Sequence, residues 1–298
     1  MPSAPGSPQE YLGELTRSFL AYLVATPSGD PKATHQLRVY GRRLRVALPL
    51  LVRKPSGQRV RRARRMLKEV VRSAGASRDR DVMLDLLAGD LAPKGRQHAA
   101  TGLLHTRLRD STRRARNRLA ALLPAADIHR LRAVLRAASC RPVPADEALR
   151  RVETLCKNLG KTQRRKLKKL GRQYDPGRLH ALRCSLRRLR YAAEVQDRLT
   201  GRNSGVTEKL RTMQTQLGKG HDCWILAEWF NAQAESRSRR DQAMIRREAR
   251  HRSRQALKAA RRHHRKWLEG NPAQQLESVY WTLAAVRPSD PRNSGKAQ

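Results

Sequence analysis

Apolar residues recur along this chain at spacings of three and four positions, and runs of β-branched residues are absent. This spacing places apolar side chains on one face of a helix, and the abundant Ala, Leu, Arg, Lys and Gln residues also favour helices. The pattern therefore predicts an all-α protein. We place the helices at residues 9–25, 31–53, 57–74, 80–123 with a break near Pro93, 127–140, 145–172, 176–199, 205–217, 221–268 with a candidate break, and 272–284.

Two stretches of the chain, 145 residues apart, are similar to each other. Residues 30–45 read DPKATHQLRVYGRRLR and residues 175–190 read DPGRLHALRCSLRRLR, with nine of sixteen positions identical. Abundant arginine alone would not also match Asp, Pro and His in register. A weaker similarity follows each copy, in GASRDRDVMLDLL from Gly75 and GKGHDCWILAEWF from Gly218. Each half is therefore predicted to be one copy of a helical unit.

Each copy begins with the same helix-start signal. Asp30 and Asp175 can accept hydrogen bonds from free backbone N–H groups, and the Pro that follows each suits the first helical position. The Gly that opens each weaker copy is predicted to end a helix, and the Asp four residues later to begin the next one. These signals predict one domain over residues 9–287, with repeats at about 9–140 and about 145–270 and a C-terminal helix after them. The flanking residues 1–8 and 288–298 are rich in Pro, Ser, Gly and Asn and are predicted to be disordered.

Basic side chains form a stripe on the first helix of each repeat. At about 100° per residue, the apolar residues fall on one side, the predicted core face, and the basic stripe lies roughly 120° away. The core face comprises Leu37, Leu44, Leu48 and Leu51 in the first copy and Leu182, Leu189 and Ala193 in the second. The stripe comprises His35, Arg38, Arg42 and Arg45 in the first copy and His180, Arg183, Arg187 and Arg190 in the second. Since like charges at these spacings weaken a helix, the stripe is expected to face a multivalent anion.

The helix after each stripe is also basic, but unequally so. Four residues of the first repeat are spaced by four, three and four positions and share one face. They are Arg61, Arg65, Lys68 and Arg72, whereas the second repeat retains Lys209 and Arg211. The forked donors of arginine fit phosphate oxygens two at a time, which favours a phosphate-bearing ligand. The later runs RRKLKK and RSRRDQAMIRREARHRSR are interpreted as solvated charged faces.

Composition supports an anionic partner. Lys and Arg number 65 against 25 Asp and Glu, a net charge of +40 spread over most of the chain. Compaction at this charge is easiest when an anion neutralises part of it. Aromatic residues make up only 4%, which disfavours a single-stranded nucleic-acid binder that stacks bases.

Cysteines and apolar runs exclude other classes. The four cysteines lack Cys-x-x-Cys spacing, so neither a disulfide scaffold nor a zinc site is predicted, and no cofactor is expected. The N-terminus has no basic region followed by an apolar run, and no stretch approaches about 18 uncharged apolar residues. A cytoplasmic protein without membrane spans is expected.

The repeated motif His-x-Leu-Arg-x-x-x-Arg-Arg-Leu-Arg, from His35 and again from His180, resembles the signature of the CHAD family, the conserved-histidine α-helical domain. The similarity covers roughly residues 9–270. It implies two four-helix units related by a pseudo-twofold axis around a basic central pore. It further implies binding of inorganic polyphosphate, with polyphosphate granules as a candidate location.

By this resemblance, residues of both repeats would line the pore. These are His35, Arg38, Arg42, Arg45 and Lys68 and their counterparts His180, Arg183, Arg187, Arg190 and Arg211. Arg65, Arg72 and Lys209 complete the predicted polyphosphate-binding residues. His221 departs from the first motif, which has Arg78 at that place, and the triphosphate-tunnel domain of some relatives is expected to be absent. A non-catalytic protein is therefore predicted.

Rival functions have weaker signals. His221 and Asp222 are adjacent, as in HD phosphohydrolases, but lack the further metal ligands of such sites. His180 and Cys184 share a helix face, but two ligands do not make a site, and Cys184 aligns with Val39, so an apolar role is predicted for it. Nonspecific nucleic-acid binding is the main alternative, because phosphate contacts alone can supply affinity. A granule-coating protein that recruits others is the third.

Overall fold

The computed structural model describes residues 5–26, 29–92, 99–121, 125–171, 173–235 and 242–285. Throughout these ranges the chain forms helices and no β-strand, so the predicted all-α class is confirmed. The helices are α1 (Pro8–Ala25), α2 (Pro31–Leu51), α3 (Gln58–Ala88), α4 (Ala99–Ala121), α5 (Ala125–Ser139), α6 (Ala145–Leu170), α7 (Pro176–Thr200), α8 (Val206–Glu235), α9 (Gln242–Glu269) and α10 (Pro272–Ala285). The predicted break near Pro93 and the segment 288–298 lie outside the described residues.

The two repeated helices begin as their sequences predict. Asp30 accepts hydrogen bonds from the backbone N–H groups of Lys32 and Ala33, at 2.8 and 3.1 Å, and so caps α2. Asp175 caps α7 in the same way by accepting from the backbone N–H of Arg178 at 2.9 Å. Each cap is followed by a proline at the first helical position, where the missing N–H costs no hydrogen bond.

The start of α1 reaches into the segment predicted to be disordered, residues 1–8. The Ser7 hydroxyl accepts from the Glu10 backbone N–H, and the Glu10 carboxylate accepts from that of Ser7, which makes a capping box. The Gly6 N–H donates to the carbonyl of Arg198 at 2.9 Å, so this stretch is tied to the end of α7. Residues 1–4 of the segment lie outside the described residues.

The predicted helix ends at Gly75 and Gly218 are wrong, because α3 and α8 run through both positions. Neither glycine has a positive φ. Each lies against an arginine instead: a Cβ on Gly75 would be 3.5 Å from Nη1 of Arg38, and a Cβ on Gly218 would be 3.4 Å from Nη2 of Arg183. A Cβ at either position would be in van der Waals contact with the guanidinium, so each glycine lets an arginine lie directly against the helix backbone and does not end the helix.

The leucines of the predicted core face are buried. Leu37, Leu44, Leu48, Leu51, Leu182, Leu189 and Ala193 are all 0% exposed. They belong to a hydrophobic core formed mainly by α1–α3, α5–α8 and α10, and a second cluster joins the ends of α3 and α8 with α4 and α9. The stripe on α2 and α7 therefore has a fixed direction relative to the core.

Packing between the two halves positions the basic residues. α2 packs on α7, and α3 packs on α8. The basic stripes of α2 and α7 thus lie near each other, with the middles of α3 and α8 beside them. None of the helices described is long and apolar enough to span a membrane.

Candidate anion-binding site

Four arginines from the two halves come together: Arg38 and Arg42 of α2, and Arg183 and Arg187 of α7. We call them the central arginine cluster. Burial lowers the pKa of Arg42 to about 9, with further contributions from the charges of Arg187 and Arg38. Burial likewise lowers the pKa of Arg38 and of Arg183, and Arg187 adds to both effects. The folded protein thus holds guanidinium groups close together with little water around them.

Each arginine of the cluster is held differently. Nη1 of Arg38 donates to the carbonyl oxygen of Gly75 at 2.8 Å and pairs with Asp79 at 3.3 Å, and its side chain is only 12% exposed. Nε of Arg183 is buried without a hydrogen-bond partner. Within the described chain, Arg42 and Arg187 form no ion pair, since the nearby carboxylate of Asp79 pairs with Arg38. The cluster therefore keeps an excess of positive charge.

Histidines flank the cluster. His35 and His180 are exposed, and the ring centroids of His180 and His221 are 4.7 Å apart. Burial, then the charges of Arg183, His180 and Arg187, lower the pKa of His221 to about 3. Burial and the charge of Arg78 lower the pKa of His35. The lowered pKa values favour the neutral imidazole of His35 and of His221, and a bound anion would favour the protonation of both rings.

Cys184 lies beside this group rather than in an apolar contact. Its Sγ is 3.4 Å from Nε2 of His180. That hydrogen bond, together with Arg187 and Arg183, lowers the pKa of Cys184 to about 7 in spite of its burial. By contrast, burial raises the pKa of Cys156 to about 12 and of Cys223 to about 11. The predicted apolar role therefore describes Cys184 poorly.

Four residues that the sequence did not assign to the site adjoin the cluster from α3 and α8: Arg78, Asp79, His221 and Asp222. Burial raises the pKa of Asp222, while Arg183 opposes that rise. The repeat alignment contained a signal for them, because it pairs Arg78 with His221 and Asp79 with Asp222. That signal was interpreted as a helix start.

Arg45 and Arg190, the last residues of the two basic stripes, have different neighbours from the central arginine cluster. Burial and the charges of Arg64 and Arg188 lower the pKa of Arg45. Arg190 pairs with Glu194 at 3.5 Å and lies over the ring of Tyr191, 4.8 Å from its centroid. Arg190 is therefore already engaged by Glu194 and Tyr191, whereas Arg45 has no ion pair among the described residues.

The basic residues predicted on the following helices also differ in their contacts. Arg65, Lys68 and Arg72 are exposed on α3, and none of them forms an ion pair in the described ranges. On α8, Nζ of Lys209 donates to the hydroxyl of Ser278 at 3.4 Å, and Arg211 pairs with Glu208 at 2.8 Å. The α3 residues are therefore free to attract an anion, whereas the α8 residues have local partners.

Candidate metal ligands are not grouped. Among the described residues, no set of three or more His, Cys, Asp and Glu side chains is arranged to hold a metal ion. His221 and Asp222 thus do not belong to such a group in this part of the chain, although His180 lies beside His221. The geometry instead offers hydrogen-bond donors and positive charge.

Comparisons with known proteins identify the family and the fold. The family model of the CHAD domain matches residues 10–231. Among solved structures, the fold is similar to the CHAD domain from the plant Ricinus communis, with 22% identity over 96% of this chain and 94% of that chain and a TM-score of 0.61. It is also similar to PptA from Streptomyces chartreusis, with 18% identity over 88% of this chain and 98% of that chain and a TM-score of 0.66. No curated protein matches the chain, and no catalytic family is indicated. Because the family model covers well over half of the sequence, the chain belongs to the CHAD domain family.

Proposed function

We propose that this protein binds inorganic polyphosphate, without catalysis, at the central arginine cluster. The observation that carries the proposal is the convergence of four partly buried arginines from two helices, three of them with a pKa lowered by burial, and with Arg42 and Arg187 forming no ion pair in the described chain. Like charges held in this way oppose folding unless a counter-charge is supplied. A linear polyanion supplies it at several positions at once.

The donor chemistry favours phosphate. Guanidinium groups present two parallel N–H donors to phosphate oxygens, and the neighbouring imidazoles can gain a proton when an anion binds. A chain of phosphates repeats the same acceptor along its length, which suits arginines contributed by both α2 and α7. The family resemblance adds that such a site would be a pore between two pseudo-twofold repeats.

A bare phosphate chain fits better than a nucleic-acid duplex. Arg38 is only 12% exposed, and the backbone of a duplex would not reach a side chain buried to this degree. The +40 net charge nevertheless makes nonspecific nucleic-acid binding the alternative. The proposal includes a cytoplasmic location, with polyphosphate granules as a place where such a protein would gather.

A competition experiment tests the proposal. Labelled long-chain polyphosphate is bound to the protein and displaced with unlabelled polyphosphate or duplex DNA at equal phosphate concentration and ionic strength. We expect polyphosphate to displace the label at least about tenfold more effectively than DNA. Equal displacement by DNA, or equal binding by an Arg42→Glu variant, would support nonspecific charge attraction instead.

A further inference from the structure

An open cleft of about 600 Å³ lies between α9 and the end of α8, away from the central arginine cluster. Its size falls in the range of small-molecule sites. Its lining includes Asn231 of α8 and, on one face of α9, Arg246, Arg247, Arg250, Ser253 and Arg254. The arginines lie within nine residues, from Arg246 to Arg254, which is roughly 12 Å along the helix.

The packing of α9 fixes this face toward the cleft. The buried hydroxyl of Ser253 donates to the carbonyl of Ala227 on α8 at 3.1 Å. On the side toward α4, Arg252 pairs with Glu248 at 2.8 Å, and Glu248 also accepts from the hydroxyl of Thr101 at 2.9 Å. The carboxylate of Glu248 is therefore engaged away from the cleft.

Three exposed arginines of the cleft lack a neighbouring counter-charge among the described residues. Arg247, Arg250 and Arg254 are exposed and form no ion pair over the ranges that the structure describes. Their spacing of three and four positions keeps all three guanidinium groups on one face. Side chains with these charges would repel one another if no anion lay among them.

A second arginine-lined cleft, on α4, shows the contrast. It has about 410 Å³ and is lined in part by Arg109, Arg113 and Arg116. There, Arg113 pairs with Asp110 at 3.2 Å, and Arg116 pairs with the buried Asp81 at 2.8 Å. Two arginines of the α4 cleft thus have their own counter-charges, whereas Arg247, Arg250 and Arg254 of the α9 cleft have none among the described residues.

We propose that the α9 cleft is a second binding site for a chain of phosphate groups, additional to the central arginine cluster. The inference rests on the proposed function. None of the residues lining the cleft is aromatic, so nucleic-acid bases would have no ring on which to stack, which favours a bare phosphate chain. Asn231 follows His221 by ten residues on α8, about 15 Å along its axis, so one long chain could occupy both sites.

The test counts binding sites for a short anion. Tripolyphosphate is titrated calorimetrically into the full-length protein and into the triple variant Arg247→Gln, Arg250→Gln and Arg254→Gln. Glutamine keeps the helix propensity and removes the charges. We expect the unmodified protein to bind two tripolyphosphates and the variant one, and long-chain polyphosphate to bind the variant about tenfold more weakly, because linked sites reinforce each other.

The α4 helix offers a control with the same loss of charge. The triple variant Arg109→Gln, Arg113→Gln and Arg114→Gln should still bind two tripolyphosphates. Circular dichroism checks the fold of each variant, and the single variant Arg250→Glu, which leaves the rest of the face intact, should also lose one site.

Each remaining outcome decides between the proposals. Retention of both sites in the α9 variants, or an equal loss in the α4 control, would overturn the second site. If Arg42→Glu with Arg187→Glu removes one site and the α9 triple variant none, the proposed function stands and this inference fails. The reverse result would leave the α9 site standing and overturn the proposed function. A single-stranded oligonucleotide that competes as well as polyphosphate at the α9 cleft would refute the bare phosphate chain as occupant.

Discussion

The two halves of the molecule contribute alike to the central arginine cluster but differ in the helices behind it. α2 supplies Arg38 and Arg42, and α7 supplies Arg183 and Arg187 from the same motif positions. When α3 and α8 are aligned on Gly75 and Gly218, the two helices carry different side chains. Arg65, Lys68, Arg72 and Arg78 on α3 correspond to Glu208, Arg211, Thr215 and His221 on α8.

This difference indicates a division of roles. The first half presents Arg65, Lys68 and Arg72 exposed on α3 without ion pairs in the described ranges, and this charge would attract a polyanion from solution. The second half places the titratable groups His180, Cys184 and His221 beside the arginines. The two similar motifs thus supply the shared cluster, while the helix after each motif carries different side chains.

The largest expected effect tests whether both halves form one site. Arg42→Glu and Arg187→Glu should each weaken polyphosphate binding about 30-fold, because each replaces an unpaired donor with a repulsive charge. The double variant should lose nearly all binding at the cluster in a fluorescence titration. These two arginines are better probes than Arg38, which also donates to the Gly75 carbonyl and pairs with Asp79, so that its loss would disturb contacts with α3 as well.

Arg136→Glu is the control. Arg136 is exposed on α5, and its substitution changes the net charge by the same amount as each of the other two. If this variant loses as much affinity as the other two, the protein responds to its overall charge. The shared site would then be refuted.

The next effect concerns the two flanking helices. Arg65→Gln with Arg72→Gln should weaken binding about fivefold and lower the slope of log affinity against log salt by roughly one to two, since two phosphate contacts are removed. Lys209→Gln with Arg211→Gln should change both quantities much less, because these residues already have partners in Ser278 and Glu208. Equal slopes for the two variants would contradict the division of roles.

The dependence on pH should come mainly from the second half. The pKa of Cys184 is lowered to about 7, so its thiolate forms above that pH and repels an anion. In the empty protein the lowered pKa of His221 keeps it neutral, and a bound phosphate chain would raise that pKa. Both effects have one sign: affinity should rise several-fold as the pH falls from about 8 to about 6, with proton uptake.

Two substitutions separate these contributions. Cys184→Val, which introduces the residue found at Val39 in the first half, should remove the change of affinity with pH above about pH 7. His221→Gln should remove the change of affinity with pH below about pH 7. Calorimetry in buffers of different ionisation enthalpy measures the proton uptake. If neither variant changes the pH dependence of affinity and His35→Gln removes it, the titrating group belongs to the first half.

The smallest effect is on stability. The pKa of Arg42 is about 9 in the folded protein and near its ordinary value of 12.5 when unfolded, so the charged group opposes folding at every pH below about 9. Arg42→Gln should therefore raise the free energy of unfolding of the empty protein by about 1 kcal/mol. This corresponds to about 2 °C in Tm. A lower Tm would mean that Arg42 has a stabilising partner.

Sequence signals within a few residues of each other predicted most of the helices and which face of each is buried. Asp-Pro predicts the starts of α2 and α7, because a cap and its proline act within one turn. The leucine spacing predicts the buried face, since periodicity is a property of the helix itself. Both features depend on residues only a few positions apart.

The errors arose where one local signal has two physical causes. A glycine can end a helix, or it can let another side chain approach the backbone. Gly75 and Gly218 have the second role, because Arg38 and Arg183 from other helices lie against them. Likewise, Arg190 shares its stripe with Arg187, but Glu194 and Tyr191 engage it.

The sequence by itself determined the all-α class, the similarity between the two halves and the predicted anionic character of the ligand. These follow from periodicity, repetition and charge, which need no knowledge of neighbours. Only the tertiary structure decided which stripe residues meet, which charges are already paired, and that Cys184 lies beside His180 and the arginines. Such properties depend on distances between helices far apart in the chain, and on the loss of water there, which sets the pKa of each group.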